Sequence, residues 1–381
     1  MYRILYVNPV SYIGGGEKAL LELMENLPSE EYMPILLCPG DGHFPVICRN
    51  KGIEIHYLPT IPFPGGKAIT TYKYLALNAI KIANFVARLK IDLVHSNSAR
   101  VAYHGGLGAR MAGVPSIIHI RDYINSPFQS RLKALFLNRI SDRIIAVSEA
   151  TKVSILSNNH FLQNKTVTVY DGIPYIEQPS NEQIKFFLKS LKSLSQGPIL
   201  AVIGAISKQK GQSIIIRALP EIKKLFPGII LLIIGTPRDS QGVIYENQIH
   251  EEVKQMGLSG HVIFLGFRED VQVIIKSADL IVHPAVEPDA FPHILLEACF
   301  LQTPVVASAI GGIPEIIEDR KTGYLFTPGD INGLSALIIQ ILSHTDMITN
   351  VCKLGKEKVS ESFSMRKHID RITELYKTLL N

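Results

Sequence analysis

Residues 279–326 read DLIVHPAVEPDAFPHILLEACFLQTPVVASAIGGIPEIIEDRKTGYLF, and this stretch decides the fold class. DLIVHPA, TPVVASA and GYLF are short runs dominated by apolar residues, with no alternation of apolar and polar positions. A strand of that kind is covered on both faces, as in a parallel sheet flanked by crossover helices. Between the first two runs, Phe291, Leu295 and Ala298 recur at helical spacing, which predicts a helix over 291–301 whose apolar stripe faces a core. One strand–helix–strand unit is thus legible in a single segment.

The same rhythm extends outward in both directions. Upstream within the same half lie PILAVIG (198–204), GIILLIIG (228–235) and HVIFLG (261–266), with helices expected over 212–226 and 249–256. A polar stretch, IEQPSNEQ at 176–183, and a lysine-rich helix over 184–194 precede them. Before that comes another series: YRILYV, PILLC, IEIHYL, DLVHS, PSIIHI, DRIIAVS and VTVY, ending near Tyr170. Its helices are expected over 17–27, 71–90, 100–111 and 128–139. The fold class is therefore α/β, with two Rossmann-like doubly wound domains facing across a cleft, one over 1–175 and one over 176–361. The final amphipathic helix, within 362–381, is expected to pack back toward the first domain. In open parallel sheets ligands bind beyond the carboxyl ends of the strands.

Composition narrows the function classes. The chain has 381 residues, 46% apolar and 19% charged, with a mean hydropathy of +0.18. This excludes disordered and collagen-like classes, and two domains of ordinary size fit the length. No apolar run approaches the ~18 residues of a membrane span, and MYRILYV lacks the length and cleavage site of a signal peptide. A soluble, cytoplasmic protein is expected. Cys38, Cys48, Cys299 and Cys352 are scattered, with no C-x-x-C and no metal spacing, so neither a disulfide framework nor a bound metal is expected. Residues 1–175 hold 18 Lys and Arg against 12 Asp and Glu, whereas the remainder is nearly balanced. A basic first half suits an acidic partner, such as a phosphorylated acceptor or an anionic membrane face; solvated side chains distributed by chance account for it equally. Nucleic acid is not expected, because the basic residues form no stripe interleaved with aromatics.

Three constellations carry candidate chemistry. Gly14, Gly15 and Gly16 lie between a strand and a helix, where the backbone approaches a ligand closely and free N–H groups meet an anion; a purely structural turn is the alternative. Lys210-Gly211 opens a helix after a strand, placing a point charge where a diphosphate could sit, or a solvated lysine. In the opening stretch, Asp289 stands at the mouth of a strand and Glu297 eight residues on, in the first turns of the helix facing the cleft. Residues 290–293, with Ala290 and Phe291, offer helix N-terminal amides to an anion, and Gly311-Gly312 makes a tight turn beside them.

Taken in order, GGGE at 14–17, HIRD at 119–122, IIAVSE at 144–149, KG at 210–211, the E-x7-E-like segment at 289–297 and GGIPE at 311–315 resemble the retaining glycosyltransferases of family 4, with the GT-B fold. The resemblance runs nearly end to end, and its last three motifs are the most specific. It implies that the second domain holds a nucleotide-activated sugar and the first an acceptor, either a glycan or a lipid-linked molecule. Lys210 would contact the diphosphate, Glu297 the ribose hydroxyls and Asp289 the donor sugar. The Gly14-Gly15 loop would close over the diphosphate. No metal or other cofactor is implied, since lysine and helix amides neutralise the leaving group. Transfer would proceed by front-face attack, a donor phosphate oxygen receiving the acceptor's proton.

Three positions depart from the family pattern. Ala205 stands where an arginine is common, Asp289 is one methylene shorter than the usual glutamate, and Pro292 replaces a glycine and offers no N–H. The family's usual catalytic histidine falls here on Arg121, while His119 points to the same side of the strand two residues earlier. Arg121 facing the cleft with His119 deeper is the favoured arrangement, and an ordinary surface arginine is the alternative. His95 and Asn97 end another strand, as acceptor-pocket residues or as a simple turn. Arg131, Lys133, Arg139 and Arg143, beside Leu132, Leu135, Phe136 and Leu137, suggest peripheral contact with an anionic membrane, or a helix packing its apolar face on the sheet. Two rival functions stand beside the transferase: a non-catalytic sugar-nucleotide-binding or scaffolding protein, and a GT-B-type epimerase.

Overall fold

The computed structural model describes residues 1–59, 68–123, 131–157, 159–191, 197–344 and 348–381, without the side chains of residues 68–72, 132 and 133. The chain divides into two compact units, Met1–Pro174 with Met365–Asn381, and Tyr175–Ser364.

The first unit is built on seven strands, β1 (Tyr2–Val7), β2 (Tyr32–Cys38), β3 (Glu54–Tyr57), β4 (Leu93–Asn97), β5 (Ser116–Ile120), β6 (Arg143–Ala146) and β7 (Thr166–Thr168). All pair in parallel, in the order β3-β2-β1-β4-β5-β6-β7. The reversal after β3 creates a switch point between β1 and β4, where the carboxyl ends leave a crevice. Register sets Tyr6 opposite His95 and Asn97 opposite His119. Apolar side chains fill both sheet faces: Leu5, Val7, Ile35 and Val94 on one side, and Ile4, Tyr6 and Leu36 on the other. Burying one such aliphatic side chain contributes roughly 1.5–3 kcal/mol.

The last helix, Met365–Leu380, belongs to this unit. The Met365 N–H donates to the carbonyl of Ile173 at 3.0 Å, and Ile369, Ile372 and Tyr376 are buried in the same core as Tyr6 and Tyr32. Their spacing of three and four residues is the helical stripe that was legible in the sequence.

The second unit repeats the architecture with β8 (Ile199–Ile203), β9 (Ile230–Ile234), β10 (Val262–Gly266), β11 (Leu280–His283), β12 (Val305–Ser308) and β13 (Tyr324–Phe326). Their order is β10-β9-β8-β11-β12-β13, again parallel throughout, so the switch point falls between β8 and β11. The fold is thus two Rossmann-like units, and every strand expected from apolar runs is present.

Helix boundaries differ more. The helix expected over 291–301 is His293–Phe300, with Pro292 at its N-cap, because proline is tolerated at the start of a helix and not inside it. The one expected over 249–256 begins at Ser240, capped by the Asp239 side chain accepting from the Gly242 N–H. Those expected over 128–139 and 184–194 run Arg131–Ile140 and Asn181–Leu191; residues 128–130 and 192–194 lie outside the described residues. Helices Ile331–Ser343 and Ile348–Ser362 were not anticipated.

Candidate functional site

The switch point of the second unit gathers residues far apart in sequence. The turn after β8 carries Lys208–Lys210 and Gly211; the loop after β11 carries Asp289. These segments are buckled together. The Val286 N–H donates to the Gln209 carbonyl at 2.9 Å, and Gln209 Nε2 to the Pro288 carbonyl at 3.2 Å. Gly211 has φ +69, and a Cβ there would lie 2.0 Å from the Pro284 carbonyl oxygen. Only glycine fits both the backbone conformation and the approach.

Lys210 Nζ contacts Asp289 Oδ2 directly. His283, the last residue of β11, places Nε2 3.0 Å from the same oxygen. Burial by itself would raise the Asp289 pKa, but the Lys210 charge and the His283 hydrogen bond outweigh it and hold the carboxyl well below the usual range. Burial pushes the His283 imidazole down, offset in part by Asp289. Because a carboxylate only accepts, the neutral ring presents its Nε2–H to Oδ2.

The Asp289 backbone is pinned as well. Its carbonyl accepts from the Gly312 N–H at 2.8 Å, and a Cβ on Gly311, which has φ +62, would come within 2.3 Å of that carbonyl oxygen. Ala290 and Phe291 are buried, with the Phe291 ring edge-on to Phe363 at 5.2 Å between centroids. Glu297 is 6% exposed, in the second turn of the helix that follows. Residues 290–293 contain one fewer amide than their length suggests, because Pro292 has no N–H.

In the first unit, Gly14 caps helix Gly15–Asn26, and a Cβ on Gly16 would sit 3.5 Å from Arg121 Cδ. Arg121 follows β5 and is enclosed: its side chain is 6% exposed and that of Asp171, which it contacts through Nη1, 5%. Arg121 Nε also donates to Asn97 Oδ1 at 2.7 Å, and Asn97 Nδ2 to Asn8 Oδ1 at 2.8 Å. Arg121 is therefore no ordinary surface charge.

His119 lies deeper and is fully buried. Its Nδ1 is 3.4 Å from Arg121 Nη2 and 3.2 Å from His95 Nε2. An arginine only donates, so His119 Nδ1 accepts and its proton sits on Nε2, facing Asp171 Oδ1 across 4.0 Å. His95 then donates from Nε2, and its Nδ1 accepts from the Tyr376 hydroxyl at 2.7 Å. The Tyr6 hydroxyl is 2.7 Å from that of Tyr376. Burial holds both imidazoles well below their ordinary range, with the Arg121 charge acting in the same direction. His95 and Asn97 are interior members of this network, 0% and 2% exposed.

On helix Arg131–Ile140, Ala134, Leu137 and Ile140 are buried in the first unit's core and Phe136 stacks on Tyr103, while Leu135 stays exposed. Packing thus accounts for most of its apolar face; the side chains of Leu132 and Lys133 lie outside the described residues.

Comparison with known proteins bears on the whole chain. The family described as Glycosyl transferases group 1 matches residues 183–358, and that described as Glycosyltransferase Family 4 matches residues 13–175. The chain belongs to the group 1, family 4 glycosyltransferases. An Escherichia coli relative, UDP-Gal:alpha-D-GlcNAc-diphosphoundecaprenol alpha-1,3-galactosyltransferase, is 22% identical over 98% of this chain and 96% of its own length. N-acetyl-alpha-D-glucosaminyl L-malate synthase of Bacillus anthracis is 26% identical over 87% and 91%. Among solved structures, Anabaena Alr3699/HepE in complex with UDP and glucose superposes with a TM-score of 0.86 at 22% identity, covering both chains fully. That likeness concerns the fold.

Within this glycosyltransferase, two residues escaped the sequence reading. His283 closes the apolar run DLIVH just before a proline, and Asp171 follows VTVY directly; an ionisable residue at the end of a parallel strand is the signal both carry. Among the described residues no helix is long and apolar enough to cross a membrane.

Proposed function

We propose that this glycosyltransferase moves a hexosyl unit from a UDP- or GDP-sugar to a glycan, lipid-linked or other cell-envelope acceptor, with retention and without a metal ion. The observation that carries the reading is the convergence of Lys210 and Asp289 at the switch point of the second unit. The printed names of relatives support it: one includes UDP-Gal and a diphosphoundecaprenol-linked sugar, and another is a phosphatidyl-myo-inositol mannosyltransferase.

In this proposal Lys210 turns from Asp289 to the diphosphate and neutralises the charge that develops as the donor's anomeric C–O bond breaks. The Ala290 and Phe291 backbone and the Gly311-Gly312 turn border the same phosphate and sugar, and Glu297 accepts the ribose hydroxyls. Asp289 accepts from a sugar hydroxyl. Gly14 and Gly15 approach the diphosphate, and Arg121, with His119 behind it, serves the reacting sugar. Asn97 supports the acceptor side through Arg121, and His95 does so through His119. The acceptor oxygen bonds to the anomeric carbon on the face the diphosphate leaves. Its proton passes to the departing phosphate oxygen, so configuration is retained. Leu135, between the exposed Arg131 and Arg139, is what the described helix offers to an anionic bilayer.

A second reading, a non-catalytic sugar-nucleotide binder, draws on the Lys210–Asp289 pairing together with Ala205: Lys210 is already engaged with a carboxylate, and Ala205 brings no charge of its own. A panel of UDP- and GDP-sugars, screened by thermal shift and then for slow donor hydrolysis, separates the two. The transferase reading expects at least one donor both to raise the melting temperature and to be hydrolysed. Binding without hydrolysis of any donor favours the second reading, and no shift across the panel contradicts both.

A further inference from the structure

We infer that His283 is a positioning residue that holds the Asp289 carboxylate in place when Lys210 leaves it for an anionic ligand. The inference rests on the donor-site reading above and adds to it a residue that does not touch the donor.

Lys210 and His283 converge on one oxygen, Asp289 Oδ2, and they differ in mobility. Lys210 carries its ammonium on a flexible four-carbon stem, and its side chain is 25% exposed. His283 is nearly buried and sits inside the sheet, its backbone paired with Ala307 of β12. Its ring has little room to swing. The Asp289 main chain is fixed by the Gly312 N–H and by the close approach of Gly311, so side-chain rotation is the freedom that remains. While Lys210 is in place, that rotation is restrained from two directions. Once Lys210 turns to a diphosphate, the His283 Nε2–H is the restraint left on Oδ2, and it leaves Oδ1 outside this contact to meet a hydroxyl. A misplacement of about 1 Å at a reacting centre costs on the order of 100-fold in rate. The shorter aspartate in place of a glutamate makes the restraint matter more, since it has less reach to recover a lost contact.

The test compares the wild type with His283→Phe, which keeps the ring and removes the Nε2–H, and His283→Gln, which returns an N–H donor. Donor hydrolysis by His283→Phe should fall about 10- to 100-fold in kcat, while the Kd for free UDP or GDP stays within about threefold, the split expected of positioning rather than binding. His283→Gln should recover most of the loss. A kcat for His283→Phe within twofold of wild type, or equal losses in kcat and nucleotide affinity, would overturn the inference. In ligand-free protein, ring nitrogen-15 NMR should show His283 neutral and protonated on Nε2, with a signal that moves in Asp289→Asn. Protonation on Nδ1, or a signal indifferent to Asp289→Asn, would also overturn it. The NMR measurement needs neither turnover nor a folded His283 variant. It tests the His283–Asp289 contact on which the inference stands even if no sugar nucleotide is turned over, which would instead count against the proposed function.

Discussion

Lys210→Ala is expected to weaken the binding of free UDP or GDP by ~1.5–3 kcal/mol, the scale of a charge-assisted contact, or about 10- to 150-fold in Kd. Two features of the site push the loss toward the upper end. Ala205 brings no cation of its own, so in the proposed site no charge from that position compensates for the loss of Lys210. Its removal also leaves Asp289, a buried carboxylate held ionised in part by the Lys210 charge, beside an anionic ligand. One feature works against this: in the free protein the ammonium is already engaged with Asp289, and that contact must be given up on binding. The exchange replaces one charged partner with a more highly charged one, so the net sign stays favourable. Calorimetric titration of wild type and variant reads the difference, and equal affinities would remove Lys210 from the nucleotide site.

Arg121→Met is expected to destabilise the first unit by about 3–5 kcal/mol, the cost of leaving one member of a buried ion pair alone. Asp171 would lose the guanidinium that contacts it, and His119 Nε2 stands 4.0 Å from its Oδ1. Burial keeps His119 neutral, so it does not replace the lost charge. Removing both partners, in Arg121→Met with Asp171→Leu, should recover much of the loss, because an apolar pair of similar volume avoids the stranded charge. Urea denaturation followed by circular dichroism measures both variants. A single variant as stable as wild type would show that the pair is solvated rather than enclosed.

The strands were legible because each is a continuous apolar run, and a parallel sheet covered on both faces demands that composition. The terminal helix was legible for a similar reason, since Ile369, Ile372 and Tyr376 mark one stripe. The first half of Ser240–Gln255 was not, because its start is polar and contains Gly242. Ile331–Ser343 escaped notice because it is apolar on more than one face, which blurs the period. The site divides along the same line. Lys210, Asp289 and Glu297 stand in local motifs that sequence alone displays. Their pairing does not: Lys210 meets Asp289 across 79 positions, and Arg121 meets Asp171 across 50. Those meetings follow from strand order, which brings β8 beside β11 and sets β7 one strand beyond β5, across β6. His283 and Asp171 were therefore invisible as partners, although His283 closes a strand that was itself easily read and Asp171 lies three residues beyond another.

The donor-site account is tested most directly by comparing Glu297→Gln and Asp289→Asn for both nucleotide affinity and donor turnover. Glu297 lies in the second turn of helix His293–Phe300, and a glutamine accepts with one oxygen where the glutamate accepts with two. Glu297→Gln should lose ~1–3 kcal/mol of affinity for free UDP or GDP while the nearly isosteric side chain leaves the fold intact. Asp289→Asn, which frees Lys210 from its carboxylate partner, should not weaken free-nucleotide affinity and should lose about 100-fold in turnover of the intact sugar nucleotide. Two variants that bind every nucleotide and turn over the donor as the wild type does would place the donor site away from the β8–β11 switch point and contradict the account.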